Sequence, residues 1–225
     1  MRKANLTLAF DVYGTLVDPN GMGAHLEPLF GSHAKKAAEI WRVKQIEYSF
    51  RRALMERYVD FDSCTAQALV YVGEVFGVAL SPADQRALLA QYRSLPAFSD
   101  AAPALQDLTA RGQQLVAFSN GPEKAVRLLL DHAGLLGHFQ AVISADDVQS
   151  FKPDPAVYAY LAERTGQPSS ALWMISSNPF DVIGAKSYGL RSAWVRRDKN
   201  RIFDPWEFPP DLVAGSLLDL AAALD

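Results

Sequence analysis

Between Ala97 and Val195 the chain alternates short apolar runs with amphipathic stretches, and that alternation restricts it to one class of fold. Ala101 to Ala110 reads as a helix closed by Arg111-Gly112, Gln114 to Phe118 as a strand, Pro122 to His132 as a helix and Gln140 to Ser144 as a strand. The pattern then repeats. A helix opens at Asp154-Pro155 and stops at Gly166, a strand covers Ala171 to Ile175, a helix runs from Pro179 to Tyr188 and ends at Gly189, and Arg191 to Val195 is the last clear strand. Repeats of strand, helix and strand build parallel sheets with right-handed crossovers. The β-prone apolar run Leu6 to Phe10, near the start, fits a strand of such a sheet buried on both faces.

The alternation lapses once, after Val17. Three helical patterns follow in succession. The first, from about Ser32 to Arg57, carries Ile40, Val43, Ile46, Phe50, Leu54 and Tyr58 at three-and-four spacing. The second takes Asp62 as its N-cap and runs through Leu69, Val70, Val72 and Phe76 to Gly77. The third opens at Ser81-Pro82, a cap followed by a first-turn proline, and fades near Pro96. The expected architecture is α/β: a doubly wound parallel Rossmann-like sheet formed by 1–17 and 97–225, with a helical cap inserted at 18–96. The Pro- and aromatic-rich stretch Arg201 to Pro210 is expected to wrap the surface, and Leu217 to Leu224 to form a final helix.

Charge narrows the partners. With 22 Lys and Arg against 25 Asp and Glu, the net charge of -3 argues against a nucleic-acid footprint. No apolar run reaches membrane length. The single cysteine, Cys64, has no disulfide partner and lacks zinc-site spacing, so it reads as a small buried hydrophobe. Met1-Arg2-Lys3 faintly mimics a signal peptide, but Asp11 interrupts the apolar run, and the cytoplasm is the expected compartment. A small molecule is the expected ligand.

Ligands of open α/β sheets bind outside the carboxyl ends of the strands. Four polar clusters fall on that rim: Asp11-Val12-Tyr13-Gly14-Thr15, Ser119-Asn120-Gly121, Ser150-Phe151-Lys152-Pro153-Asp154 and Ser176-Ser177-Asn178-Pro179-Phe180-Asp181. Each has an ordinary reading beside a chemical one. Asp11 before a glycine suits a turn, Asn120 and Asp181 suit helix capping, and a loop lysine such as Lys152 is usually solvated. Tyr158 suits the core, Arg42 a solvated helix face, and Ile46, Phe61 and Phe180 either core or an apolar wall around a substrate.

The stretch Asp-x-Tyr-Gly-Thr-Leu resembles the nucleophile motif of the haloacid dehalogenase superfamily, and Tyr13 resembles its (S)-2-haloacid dehalogenase branch. Phosphatases of that superfamily carry a second aspartate there, which protonates an alkoxide leaving group; a halide needs no such acid. The Arg42 segment and the Ser-Ser-Asn loop are similar to the same branch. The resemblance implies Asp11 as nucleophile with Lys152, Asp181, Asn178 and Ser176 in the catalytic set. It implies Val12, Tyr13, Arg42, Ser119, Asn120, Tyr158, Ile46, Phe61 and Phe180 around the substrate. Within that set Ser119 donates to the substrate carboxylate, Arg42 and Asn120 receive the halide, Lys152 keeps Asp11 ionised, and Asp181 positions water or pairs with Lys152. Asn178 and Tyr13 stand where magnesium-binding acids would, so no metal and no cofactor are expected. The implied reaction turns a 2-haloalkanoic acid into a 2-hydroxy acid through an aspartyl ester, with inversion, in a homodimer. A magnesium-dependent phosphatase and a non-catalytic binding protein are the alternatives.

Overall fold

The computed structural model describes residues 6–224; the Met1-Arg2-Lys3 start lies outside them. Six parallel strands form one sheet in the order β3-β2-β1-β4-β5-β6. They are β1 (Thr7–Phe10), β2 (Gln114–Ser119), β3 (Ala141–Ser144), β4 (Leu172–Ser176), β5 (Arg191–Val195) and β6 (Leu212–Ala214). β1 lies between β2 and β4, with Phe10 opposite Ala117 on one side and Ile175 on the other. Strand order reverses direction at β1, so the loops after β1, β2 and β4 open at a switch point of the doubly wound sheet.

Alternation along the strands divides the core in two. Leu8 and Phe10 pack into one buried cluster with Leu115 and Ala117; Ala9 packs into the other with Val116, Phe118, Met174, Tyr158 and Leu161. Period-two alternation sends neighbouring side chains to opposite faces. Helices α5 (Ala101–Ala110), α6 (Glu123–His132), α7 (Pro155–Thr165), α8 (Pro179–Tyr188) and α9 (Leu217–Ala223) connect and follow the strands. Gly184 of α8 has a structural reason: a Cβ there would lie 2.5 Å from the Tyr158 hydroxyl and 2.6 Å from Pro153 Cβ.

Four helices occupy the stretch between β1 and α5: α1 (Met22–Phe30), α2 (Ala34–Leu54), α3 (Phe61–Phe76) and α4 (Pro82–Tyr92). The chain leaves and returns at one place. Val17 bridges Ala97 in antiparallel fashion, Asp18 N–H donates to the Pro96 carbonyl at 3.0 Å, and Phe98 N–H donates to the Leu16 carbonyl at 2.9 Å. The buried interior of these helices, including Trp41, Phe61, Cys64 and Leu69, is continuous with one face of the sheet. A second contact joins the helices to the sheet: the Tyr58 hydroxyl bonds the Asp146 carboxylate and its ring tilts against Phe151 at 5.0 Å.

Several sequence expectations need correction. α1 was not anticipated, and the first expected helix ends at Leu54 rather than Arg57. α3 is capped by Asp60, whose carboxylate accepts from Ser63 N–H at 2.6 Å; Asp62 lies in the first turn and pairs with Arg93. Ser81 and Asp84 form a full capping box on α4. Pro122, not Asn120, precedes the first turn of α6. A further strand, β6, follows β5, and its Ala193–Leu212 register extends the sheet past the expected last strand. No described helix is long and apolar enough to cross a membrane.

Candidate active site

The loop after β1 is folded on itself by the Val12 carbonyl, which accepts from the backbone N–H groups of Thr15, Leu16 and Val17. Gly14 takes φ +87°, a conformation that favours glycine. This turn fixes Asp11, which is 7% exposed, at the end of the strand. Val12 itself is fully buried, so what it offers the site is backbone.

Three loops close on the Asp11 carboxylate. Its Oδ2 accepts from Thr15 Oγ1 at 2.8 Å and from Asn178 Nδ2 at 2.8 Å, while Oδ1, among the described residues, accepts only from Lys152 Nζ, at 3.2 Å. Two donors on one oxygen fix the plane of the carboxylate and leave the other oxygen the less engaged. Lys152 is 1% exposed, and its ammonium also donates to Asp181 Oδ2 at 2.9 Å and to the Phe118 carbonyl at 2.9 Å, so its three donors are all used. Asn120 Oδ1 accepts from the Lys152 backbone N–H at 2.9 Å, which ties the lysine loop to the end of β2. Asn120 therefore anchors a loop rather than capping a helix.

Asp181 is wholly buried. Its Oδ1 accepts from the Tyr158 hydroxyl at 2.9 Å, and its other oxygen holds Lys152, so the capping role expected as an alternative does not occur. Burial pushes the Asp181 carboxyl up to about 6, against the opposing pull of Lys152. Burial, and then Asp181 itself, push the Tyr158 hydroxyl well above its ordinary value, so it stays a donor. Ser176 Oγ accepts from Asn178 N–H at 3.1 Å and shapes that loop; Ser119 Oγ accepts from Gly121 N–H at 3.1 Å and is fully buried.

The helical side contributes Arg42 from α2. Its Nη2 donates to the Tyr13 carbonyl at 3.1 Å, the same oxygen that Asn178 Nδ2 reaches at 3.1 Å. Arg42 and Asp11 thus meet around one loop. Gln45 holds the arginine in place: Oε1 accepts from Arg42 Nη1 at 2.7 Å and from Tyr92 at 2.8 Å, and Nε2 donates to Thr65 at 2.5 Å. Arg42, Ile46, Phe50, Ser177, Asn178 and Phe180 lie along a cleft of about 690 Å³. Tyr13 and Phe61 stand apart from it, with ring centres 5.8 Å apart in a buried aromatic cluster that also includes Tyr92.

A divalent cation does not suit this donor set. Asp11 and Asp181 both face the Lys152 ammonium, the remaining oxygen of Asp181 is taken by Tyr158, and Asn178 presents its amide nitrogen to Asp11. No cluster of three or more His, Cys, Asp or Glu residues suited to a metal occurs among the described residues.

Thr15, Gln45 and the Phe118 carbonyl were missed by sequence reasoning. Thr15 stood inside the quoted motif and Gln45 one helical turn from Arg42, so both carried a signal; a backbone carbonyl carries none.

Residues 6–189 match the family model of the haloacid dehalogenase-like hydrolases. The chain belongs to that family. It is 34% identical to the (S)-2-haloacid dehalogenase of Pseudomonas sp. (strain YL), over 93% of this chain and 90% of that protein. It is 33% identical to haloacetate dehalogenase H-2 of Moraxella sp. (strain B), over 84% and 85%. Among solved structures it is similar to L-2-haloacid dehalogenase from Xanthobacter autotrophicus with chloropropionic acid covalently bound, with a TM-score of 0.91, 31% identity and 98% coverage of both chains. In this haloacid dehalogenase-like hydrolase the resemblance read from Asp11, Arg42 and the Ser-Ser-Asn loop is therefore matched by family and full-length relatives.

Proposed function

We propose that this hydrolase removes halide from short 2-haloalkanoic acids, without a metal, and that Asp11 is the nucleophile. The observation that carries the reading is the oriented Asp11 carboxylate, held by Lys152, Thr15 and Asn178 beside a cleft that contains a guanidinium. The names of its relatives support the substrate class. In the first step Asp11 Oδ1 attacks the carbon bearing the halogen, the carbon–halogen bond breaks from the opposite side, and an aspartyl ester forms with inversion. In the second, water adds to the carboxyl carbon of Asp11, and the 2-hydroxy acid leaves. Covalent catalysis divides one hard displacement into two easier steps.

Each neighbour has a task in this scheme. Lys152 offsets the repulsion between the Asp11 carboxylate and an anionic substrate. Asn120 and Arg42 attend the halide, Ser119 and the backbone after Val12 the substrate carboxylate, and Ile46 and Phe180 the carbon chain. Asp181 orients the lysine and the attacking water, with Tyr158 fixing Asp181. Residues 18–96 serve as the cap that excludes bulk water, which strengthens every charge inside. Exposed Val70, Tyr71 and Val75 on α3 offer an apolar surface for the homodimer that belongs to the same reading.

Halide release from fluoroacetate, chloroacetate and both enantiomers of 2-chloropropionate tests the proposal. Turnover of chloroacetate and of one enantiomer, with the inverted hydroxy acid as product and no requirement for magnesium, is expected. Magnesium-dependent phosphate release with no halide release would overturn it.

Arg42→Ala is expected to lower kcat on the order of 10²- to 10³-fold, the usual effect of removing one donor to a developing anion. Rapid-quench measurement of halide release checks it, with a circular dichroism spectrum as control for folding.

The ionised form of Asp181 is the one that holds Lys152. Turnover should therefore fall on the acid side with a midpoint near pH 6. The Tyr158 bond lowers that pKa, so Tyr158→Phe should move the acid limb of the kcat profile to higher pH. Stability has its own sign. The unfolded carboxyl titrates at its ordinary 3.8 and the native one at about 6, so this group's contribution to stability declines as pH rises between those values.

A further inference from the structure

We propose that Arg201, at the mouth of the cleft, is a second anion-binding residue that works with Arg42 on small monovalent anions passing between the site and solvent. The inference rests on the dehalogenase reading, in which each turnover admits a carboxylate and discharges a halide.

The charges of the cleft are nearly all committed. Arg197 is held by Asp100, with Nη1 at 2.7 Å from both carboxylate oxygens, and donates to the Thr15 carbonyl at 2.5 Å. Glu47 pairs with Lys44 at 2.7 Å and with Arg51. Asp18 and Asp198 accept backbone N–H groups of Asn20 and Asn200, at 2.9 and 2.8 Å. Among the described residues the guanidinium of Arg201 has no hydrogen bond and no ion pair, although it lines the same cleft as Arg42 and Asn178.

Its backbone, by contrast, is fastened. Arg196 Nε donates to the Arg201 carbonyl at 3.1 Å, the Arg196 guanidinium also bonds the Lys199 carbonyl, and Arg201 N–H donates to the Asp198 carbonyl at 3.0 Å. A turn built this firmly places a free cation at the mouth of the cleft. Among the described residues the buried Nε of Arg197, on the same cleft, has no hydrogen-bond partner either. Desolvation against the cleft wall, and then Arg42, press the Arg201 pKa below its ordinary value, while Asp204 and Asp198 oppose them. Arginine stays charged regardless. Two cations that feel each other across one cleft are relieved when an anion settles between them.

The probes are chloride and acetate, the second an unreactive carboxylate. Binding is read by chloride-35 line broadening and by acetate titration in wild type, Arg201→Gln and Arg201→Lys. Arg201→Gln is expected to weaken binding of one or both anions by roughly tenfold, the worth of one charge-assisted hydrogen bond, with Arg201→Lys close to wild type. Weakening confined to chloride assigns Arg201 to halide exit, and weakening confined to acetate assigns it to substrate capture. Because the side chain is exposed, the thermal midpoint should not move. Unchanged affinity for both anions in Arg201→Gln, or no anion binding in the wild type, would overturn the proposal. Wild-type protein that binds chloride through Arg201 yet releases halide from no haloacid would overturn the dehalogenase reading and leave the anion site standing.

Discussion

Asp11→Asn is expected to abolish halide release, with kcat reduced on the order of 10⁴-fold or more, the scale seen when a covalent nucleophile is removed. The amide has nearly the shape of the carboxylate and still accepts from Thr15, so the loop after β1 should keep its form. What it lacks is the charged oxygen facing Lys152, where an NH2 group stands instead. A steady-state halide assay on chloroacetate measures the loss, and a near-native thermal midpoint shows that it is chemical. Full activity in the variant would remove Asp11 from the mechanism.

Lys152→Met is expected to have the largest effect on the fold itself. The ammonium is 1% exposed and shared between Asp11, at 3.2 Å, and the wholly buried Asp181, at 2.9 Å. Removing it leaves two carboxylates near one another in a dry pocket. Breaking a buried ion pair on one side costs about 3 to 5 kcal/mol, which for a chain of this size lowers the thermal midpoint by roughly 10 °C. Most of the penalty comes from the charge left behind. Asp181→Asn added to Lys152→Met should therefore recover part of the lost stability and none of the activity. A thermal denaturation series on the single and double variants checks both statements; a double variant less stable than Lys152→Met would refute the account of the buried charge.

Much of the sheet was legible because parallel strands buried on both faces read as short apolar runs between helical patterns, and their carboxyl ends locate the site. The helical segment was harder. The apolar stripe of α2 does not mark its buried face: Val43 is 63% exposed and Leu54 86%, while Ile46 and Phe50 line the cleft. The face turned inward is made of Ala37, Ala38, Trp41, Gln45 and Ser49. Two of those are polar, and they are buried because Thr65, Tyr92 and the Ile46 carbonyl satisfy them. Periodicity records hydrophobicity and is blind to such partners.

α1 escaped notice because Pro28 sits inside it and glycines stand at both ends. β6 has three residues, too few for a pattern. Among site residues, Lys152 and Asp181 were identifiable only through resemblance, since a loop lysine and a first-turn acid have commoner uses. Their joint burial is a tertiary fact: α7 supplies the tyrosine, α8 the acid and the loop before α7 the lysine.

The source of the product's hydroxyl oxygen gives the most direct test of whether the carboxylate after β1 strikes carbon. A single turnover of chloroacetate in water enriched in oxygen-18, with enzyme in excess, should yield unlabelled glycolate and place the label in Asp11. Label in the glycolate with none in Asp11 would mean that water attacks the substrate itself, and the ester mechanism would be contradicted.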